Sequence, residues 1–425
     1  MASKVDLGKL AMSGKFSSFT RPYYDGLSIA SIAPTIARLL NVSFNGIELK
    51  QGNLVKVDKD FNHVVLFVVD AFGYNLARMK QGRELLNSAF PRSKVKRSLL
   101  TSVFPSTTAT ALTSMFTGLT PSEHGMLGYT LFLREVGTAV NMISLSPVND
   151  WGRSRIFDLG FTPDRLLPCK KLTEALSQAG VPSRLLIRSE LKGSGLSTLL
   201  YKFSEIIPYI SMSDMFLSLS KILDERKDGL TIVYWDGLDP IEHHYGPFSE
   251  ETRFEMYLFF LALMKFFKKV KRRSANDVLL MLTSDHGQAK ISDETSFNVD
   301  DIQWLRESLL MPPTGEGRCA YMYLRRDIRN FERQFRERLG RYFSIMETRE
   351  SISKGLYGKC ELPREYLERL GDVVAIAKGT SKLLFTYNIR ERSEPPFVRY
   401  GSHGGLTLDE MLVPFISAPL NSLIE

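Results

Sequence analysis

The residues of this chain that could do chemistry come in short, widely separated groups. Asp70 closes the apolar run HVVLFVVD, Asp239 and His243 stand in DPIEHHYGP, Asp285 and His286 follow LLMLTS, and His403 lies in GSHGG. Zinc takes histidine nitrogen and carboxylate oxygen, and two such ions about 3.5 to 4 Å apart can clamp the attacking and leaving oxygens of a phosphoryl transfer. A seventh residue, Thr108 in FPSTTATALTSMFTG, offers a hydroxyl. Threonine is a weak nucleophile until a base or a metal activates it, so its use would require closeness to the metal pair. Each residue alone is ordinary, since an Asp at a strand end more often serves a turn or a cap. The set and its order carry the inference, which is a phosphate-ester hydrolase.

Short apolar runs supply the elements that would hold these residues. Val64–Val69, Ala139–Leu145, Arg184–Ile187, Leu230–Trp235 and Val278–Thr283 read as buried parallel strands, with helical stretches between several of them. Ligands of such sheets sit outside the carboxyl ends of the strands, which is where Asp70 and Asp285 end their runs and Asp239 follows its own. Pro105 precedes a helix predicted from Thr108 to Phe116 and ended by Gly118. That places Thr108 at a helix N-terminus, where free amides and the positive end of the dipole face an incoming phosphate. Between Gly287 and Tyr400 the sequence turns charged and helical in RRDIRNFERQFRERLGRYF, then strand-like in DVVAIA and KLLFTYN. The expected fold is α/β, a central mostly parallel sheet flanked by helices, with residues 1–299 and 399–425 forming the core and 300–398 an inserted α+β cap.

A chain of 425 residues with 44% hydrophobic content suits one large α/β domain with an insertion. MASKVDLGKLAMSGKF contains no apolar stretch of signal-peptide length. Cys169, Cys319 and Cys360 are far apart and form neither a disulfide framework nor a zinc knot, so a reducing cytoplasm is the expected location. The apolar stretch Met256–Phe267 is too short for a bilayer and contains Lys265, so it reads as a core helix and no membrane is expected. The net charge of +8 is modest, and the run KKVKRR after Phe267 reads as a solvated helix end whose cations complement the dipole. Without aromatic interleaving it does not argue for nucleic acid.

The remaining histidines are weighed the same way. His63 opens a strand and reads as structural, His124 in TPSEHG as a turn-stabilising residue, and His244 as a supporting neighbour of His243, since its spacing from Asp239 is wrong for a ligand. Arg134, downstream of Thr108, is a candidate phosphate binder, but a surface or cap-packing role is expected.

Taken in order, Asp70, a PxxT…TGLxPxxHG segment around Thr108, DxxxHxxGP, DHG and HGG resemble the alkaline phosphatase superfamily, especially its nucleotide pyrophosphatase/phosphodiesterase branch, over Asp70 to Ile416. The resemblance implies an alkaline phosphatase-like fold and two divalent ions, zinc or alternatively manganese. It implies one ion on Asp239, His243 and His403, and the other on Asp70, Asp285, His286 and the nucleophile Thr108. Thr108 would attack phosphorus in line on a small-molecule phosphate ester and form a covalent phospho-threonine. Oligomeric state is left unassigned. Where that branch has an aromatic residue after the nucleophile and an asparagine three residues after it, this chain has Ala109 and Ala111. Its GGLTLDEMLVPFI segment instead looks like that of phosphatase-like domains in prokaryotic phage-defence systems. The alternatives are a phosphomonoesterase or phosphonate hydrolase of the same superfamily, a phosphoglycerate mutase-like isomerase, or a noncatalytic defence-system or nucleic-acid-binding module. A mutase usually has a serine nucleophile and an early insertion, whereas the extra segment here separates His286 from His403.

Overall fold

The most continuous apolar runs become the middle of a seven-stranded sheet. The computed structural model describes residues 11–12, 17–55, 61–225, 228–325, 327–359, 361–387 and 400–424. In spatial order the sheet is β2 (Lys96–Thr101), β18 (Leu412–Pro419), β9 (Val278–Thr283), β1 (His63–Val69), β8 (Gly229–Trp235), β6 (Ser183–Arg188) and β7 (Glu205–Tyr209). The pairs β9–β1–β8–β6–β7 are parallel, and β18 runs against both of its neighbours. Parallel strands covered on both faces read as unbroken apolar runs, and β1 is buried throughout.

The two-residue period of a strand still divides β1 between two cores. Val64, Leu66 and Val68 face one cluster, while Val65, Phe67 and Val69 face the other. The second cluster is built with the helix Glu250–Lys269, which contributes Met256, Phe259, Phe260, Leu263, Phe266 and Phe267. Trp235 stacks on Phe259 with ring centroids 4.4 Å apart. Ser249 caps that helix by accepting from the Thr252 amide, and Lys268 and Lys269 occupy its last turn, so the basic run lies at the dipole's negative end. Lys271 pairs with Asp224 at 3.0 Å. No helix among the described residues is long and apolar enough to cross a membrane.

A second seven-stranded sheet is wholly antiparallel: β14 (Phe343–Glu347), β15 (Val373–Ala377), β13 (Cys319–Met322), β12 (Thr314–Glu316), β3 (Thr130–Leu133), β4 (Thr138–Asn141) and β5 (Ser146–Pro147). Phe331, Phe335 and Leu339 of the helix Ile328–Leu339 cover one face, against Ala320, Met322, Phe343 and Val373. The other face sends Leu131, Val140, Tyr321, Val374 and Ile376 into the same core as Val64 and Leu66.

The second sheet draws β3 to β5 from residues 130–147 as well as strands from 314–377, and one of its faces is continuous with the main core. The boundary at 398 lies outside the described residues, as do residues 1–10 and Cys360. One expectation is corrected here. Ala139–Leu145 is not a parallel strand. β4 spans Thr138–Asn141 and pairs antiparallel with β3, and residues 142–145 form a turn. A short apolar run carries no information about pairing direction, which the tight turn at Gly137 (φ 67°) sets here.

Two small pairs complete the architecture. β10 (Ala289–Lys290) lies antiparallel to β17 (Gly401–Ser402), and β11 (Ser296–Asn298) lies parallel to β16 (Lys382–Leu384). The first pair draws the GSHGG loop against the DHG loop.

Candidate two-metal centre

Sheet register brings the carboxylates together. Val68 of β1 lies opposite Thr283 of β9, so Asp70 and Asp285 leave the sheet at the same level, each two residues further on. Ala71, directly after Asp70, adopts φ 62°, an uncommon conformation for a residue with a side chain, and its amide reaches Asp285 Oδ1 at 3.3 Å. The two loops then touch, because a Cβ on Gly287 would meet Asp409 O at 2.2 Å and Gly73 Cα at 2.8 Å. Only glycine permits that approach. On the other side of β1, Trp235 of β8 lies opposite Val69 and leads into the helix Leu238–Tyr245. Asp239 and His243, four residues apart, share one face of that helix.

Among the described residues, two groups have ligand atoms within 4.8 Å of one another: Asp70, Asp285 and His286, and Asp239, His243 and His403. In the first, His286 Nε2 lies 3.7 Å from Asp70 Oδ1 and 3.4 Å from Asp285 Oδ2. In the second, Asp239 Oδ1 lies 3.4 Å from His243 Nε2 and 3.7 Å from His403 Nε2. Each imidazole turns its Nδ1 to a backbone carbonyl: His243 to Gly401 O at 2.9 Å, His286 to Gly287 O at 3.2 Å, and His403 to Ser106 O at 3.2 Å. Donation from Nδ1 leaves the Nε2 lone pair for a metal, the tautomer a ligand needs.

Thr108 opens the helix Thr108–Thr117, which ends at Gly118 in the left-handed conformation (φ 71°). Its Oγ1 lies 3.1 Å from His286 Nε2. The neighbouring hydroxyl points elsewhere, with Thr107 Oγ1 donating to Glu316 Oε1. Ala109 and Ala111 are both fully buried.

The charge arrangement fits divalent cations. Asp70 Oδ1 and Asp285 Oδ2 are buried with no hydrogen-bond partner among the described residues. A buried, unpaired anionic oxygen is costly, and a cation between these two removes the cost. Burial, with Asp285 and then Asp239 adding like charge, raises the Asp70 carboxyl well above its ordinary range. Burial, with the neighbouring His286 and His243 adding to it, pushes His403 well below the usual histidine value, which keeps it an unprotonated donor. Oxygen and imidazole donors in two sets of three accept zinc or manganese.

The profile of the type I phosphodiesterase/nucleotide pyrophosphatase family matches residues 64–405, from β1 to the loop after His403. The chain belongs to that family. It is a phosphoric ester hydrolase of the alkaline phosphatase superfamily, whose members of this branch depend on metal. The fold is similar to murine ectonucleotide pyrophosphatase/phosphodiesterase 5 (17% identity, TM-score 0.59, 84% of this chain and 87% of that one). It is also similar to the human protein (16%, 0.60, 84% and 87%). A third structure, an inactive threonine-to-alanine variant of the murine protein in complex with AMP, matches at 16% identity and TM-score 0.59 over 84% and 87%. No curated protein matches the sequence significantly.

Several residues of this phosphodiesterase-family centre were not singled out in the sequence. Tyr234, the penultimate residue of β8, donates to Asp70 Oδ2. Gln288 Nε2 donates to Asp239 Oδ1 at 2.7 Å and to Asp239 O at 3.1 Å. Glu316, on the second sheet, accepts from Thr107 and lies 3.3 Å from His403 Nδ1. Burial pushes its carboxyl up to about 8, partly offset by the Thr107 hydrogen bond. Arg318 is buried in a bidentate pair with Glu410, 2.6 and 2.9 Å, and Glu410 in turn accepts from Gly405 N at 2.8 Å. Position next to DHG was the one available signal for Gln288. No local pattern marks Glu316, Tyr234 or Arg318.

The remaining histidines and Arg134 lie outside the two ligand sets. His63 bonds Thr231 Oγ1 at 2.8 Å inside the sheet. His124 is buried, accepts from Met126 N at 3.0 Å and bonds Ser114 Oγ at 2.7 Å, tying its turn to the Thr108 helix. Arg134 pairs with Glu368 at 2.5 Å. His244, expected beside the ligands, is exposed with its ring edge-on to Tyr245, because consecutive helical residues point about 100° apart.

Proposed function

We propose that this enzyme hydrolyses phosphate diesters through attack by Thr108, with Asp239, His243 and His403 holding one divalent ion and Asp70, Asp285, His286 and Thr108 the other. The observation that carries the reading is the position of Thr108 Oγ1, at a helix N-terminus and 3.1 Å from His286 Nε2. Two divalent ions, when bound, supply Lewis-acid stabilisation of the charge on the attacking and departing oxygens. The chain's own residues do the positioning. The first turn of the Thr108 helix turns unpaired amides and a positive dipole end toward the nonbridging oxygens. Thr108 Oγ1 gives its proton to solvent water and bonds to phosphorus, the opposite P–O bond breaks, and the leaving alkoxide takes a proton from water, so the two proton transfers cancel. A water molecule then attacks the phospho-threonine, returning the hydroxyl and releasing a phosphate monoester.

The inactive threonine-to-alanine variant of the murine neighbour, in complex with AMP, supports a threonine nucleophile and a nucleotide-sized ester here as well. A diester is the preferred class because it brings one charge, whereas a monoester dianion gains most from an extra cation beside the nonbridging oxygens. No Lys or Arg follows Thr108 in sequence before Arg134, and Arg134 is paired with Glu368. Base selectivity should be low, since Ala109 offers no stacking ring. The test compares kcat/KM for bis-aryl and mono-aryl phosphates, then for nucleotide esters that differ only in base. A strong monoester preference rejects the diesterase reading, and sharp discrimination among bases rejects the claim of low selectivity.

A further inference from the structure

The second sheet reaches the metal centre through one carboxylate. Glu316 ends β12, and its side chain lies between the start of the Thr108 helix and the loop that carries His403. Oε1 accepts from Thr107 Oγ1, and Oε2 faces His403 Nδ1 at 3.3 Å. The side chain is 12% exposed, a mostly dry setting. The fit is close: a Cβ on Gly404 would come within 2.7 Å of Glu316 Oε2. A carboxylate behind a ligating imidazole fixes the ring's tautomer and orientation and raises the basicity of the nitrogen that faces the metal.

The same turn grips the loop a second time, for a different purpose. Arg318, two residues on, pairs with Glu410, which accepts from Gly405 N and from Thr407 N at 3.1 Å. That contact holds the backbone of residues 405–407 and touches no ligand ring. Glu316 touches one. His403 Nδ1 is also beside Ser106 O at 3.2 Å, as His286 Nδ1 in the other set is beside Gly287 O at 3.2 Å; what His403 has in addition is the Glu316 carboxyl 3.3 Å from the same nitrogen.

We propose that Glu316 is a positioning residue that sets the affinity of the Asp239, His243 and His403 set through His403, and ties it to the Thr108 helix through Thr107. The proposal rests on the two-metal reading. It gives the second sheet a part in holding one of the two ions, beside the helix that follows β8 of the central sheet.

The test is zinc titration of the metal-free full chain against a competing chelator, for wild type, Glu316→Gln and Glu316→Ala, with thermal midpoints of the metal-free proteins. Gln keeps an oxygen for His403 and an amide for Thr107 but cannot ionise when a cation binds, so one of two sites should weaken about tenfold; Ala removes both contacts and should approach about a hundredfold. The remaining site and the metal-free midpoint of Glu316→Gln should stay near wild type. Two wild-type affinities in both variants overturn the proposal, as does equal weakening of both sites accompanied by a lowered metal-free midpoint. A wild-type chain that binds fewer than two ions overturns the two-metal reading itself, a separate and recognisable outcome.

Discussion

His286 and His403 lie face to face, ring centroids 3.9 Å apart and 20° from parallel, although they belong to different ligand sets. His286 arrives on the loop after β9 and His403 on the loop after β17, and the β10–β17 ribbon draws the two loops together. The stack is the shared wall between the sets. Were each set to hold a cation, the two would lie on either side of this wall, as a two-metal phosphoryl transfer requires.

The purified protein should therefore bind two divalent ions. Exhaustive chelation should reduce hydrolysis of an aryl diester to background, and zinc or manganese should restore it. Metal content by mass spectrometry before and after chelation checks this. Full turnover with negligible metal would count decisively against the reading.

Thr108→Ala should lower kcat by roughly a thousandfold or more, the scale on which deletion of a covalent nucleophile acts. Metal content should survive, since six protein ligands remain in the two sets. Thr107→Ala removes a hydrogen bond to Glu316 and should cost less than about tenfold. A dead Thr107→Ala beside a near-normal Thr108→Ala would move the nucleophile by one residue.

Arg318→Met leaves the buried Glu410 carboxylate without its cation. Metal-free protein should lose about 3 to 5 kcal/mol in urea unfolding, and Arg318→Met combined with Glu410→Leu should recover part of it. Recovery is partial because Glu410 also caps the short helix Leu408–Met411 through Thr407. A single-variant loss below about 1 kcal/mol would show that the pair does not hold the 403–407 loop.

Burial, with the Arg369 cation adding to it, holds His124 down at about 3, against an ordinary 6.5. The unfolded chain then binds a proton that the folded chain refuses, so its contribution is full above pH 6.5 and falls as pH drops toward about 3. The slope is at most about 1.4 kcal/mol per pH unit. Comparing chelated wild type with His124→Asn isolates the effect. The stability difference should shrink between pH 7 and pH 4.5; a constant difference would mean that another group titrates.

Much of the candidate site's clustering can be read from the sequence because its residues sit where local rules apply. Asp70 and Asp285 follow apolar strands, Asp239 and His243 share a helix face, and Thr108 opens a helix announced by Pro105; strand ends and helix spacing can be read within a dozen residues. The strands β1, β6, β8 and β9 were legible for the same reason, as was the core helix around Met256–Phe267. Tertiary structure alone decided the rest. It turned part of Ala139–Leu145 into an antiparallel strand of the second sheet and merged one face of that sheet with the main core. It also brought Glu316 to His403, Tyr234 to Asp70 and Arg318 to Glu410. These contacts join segments 87, 164 and 92 residues apart (403−316, 234−70 and 410−318). Periodicity and capping act over a few residues, whereas strand pairing and buried carboxylate partners are chosen by packing among distant segments, and no local pattern encodes that choice.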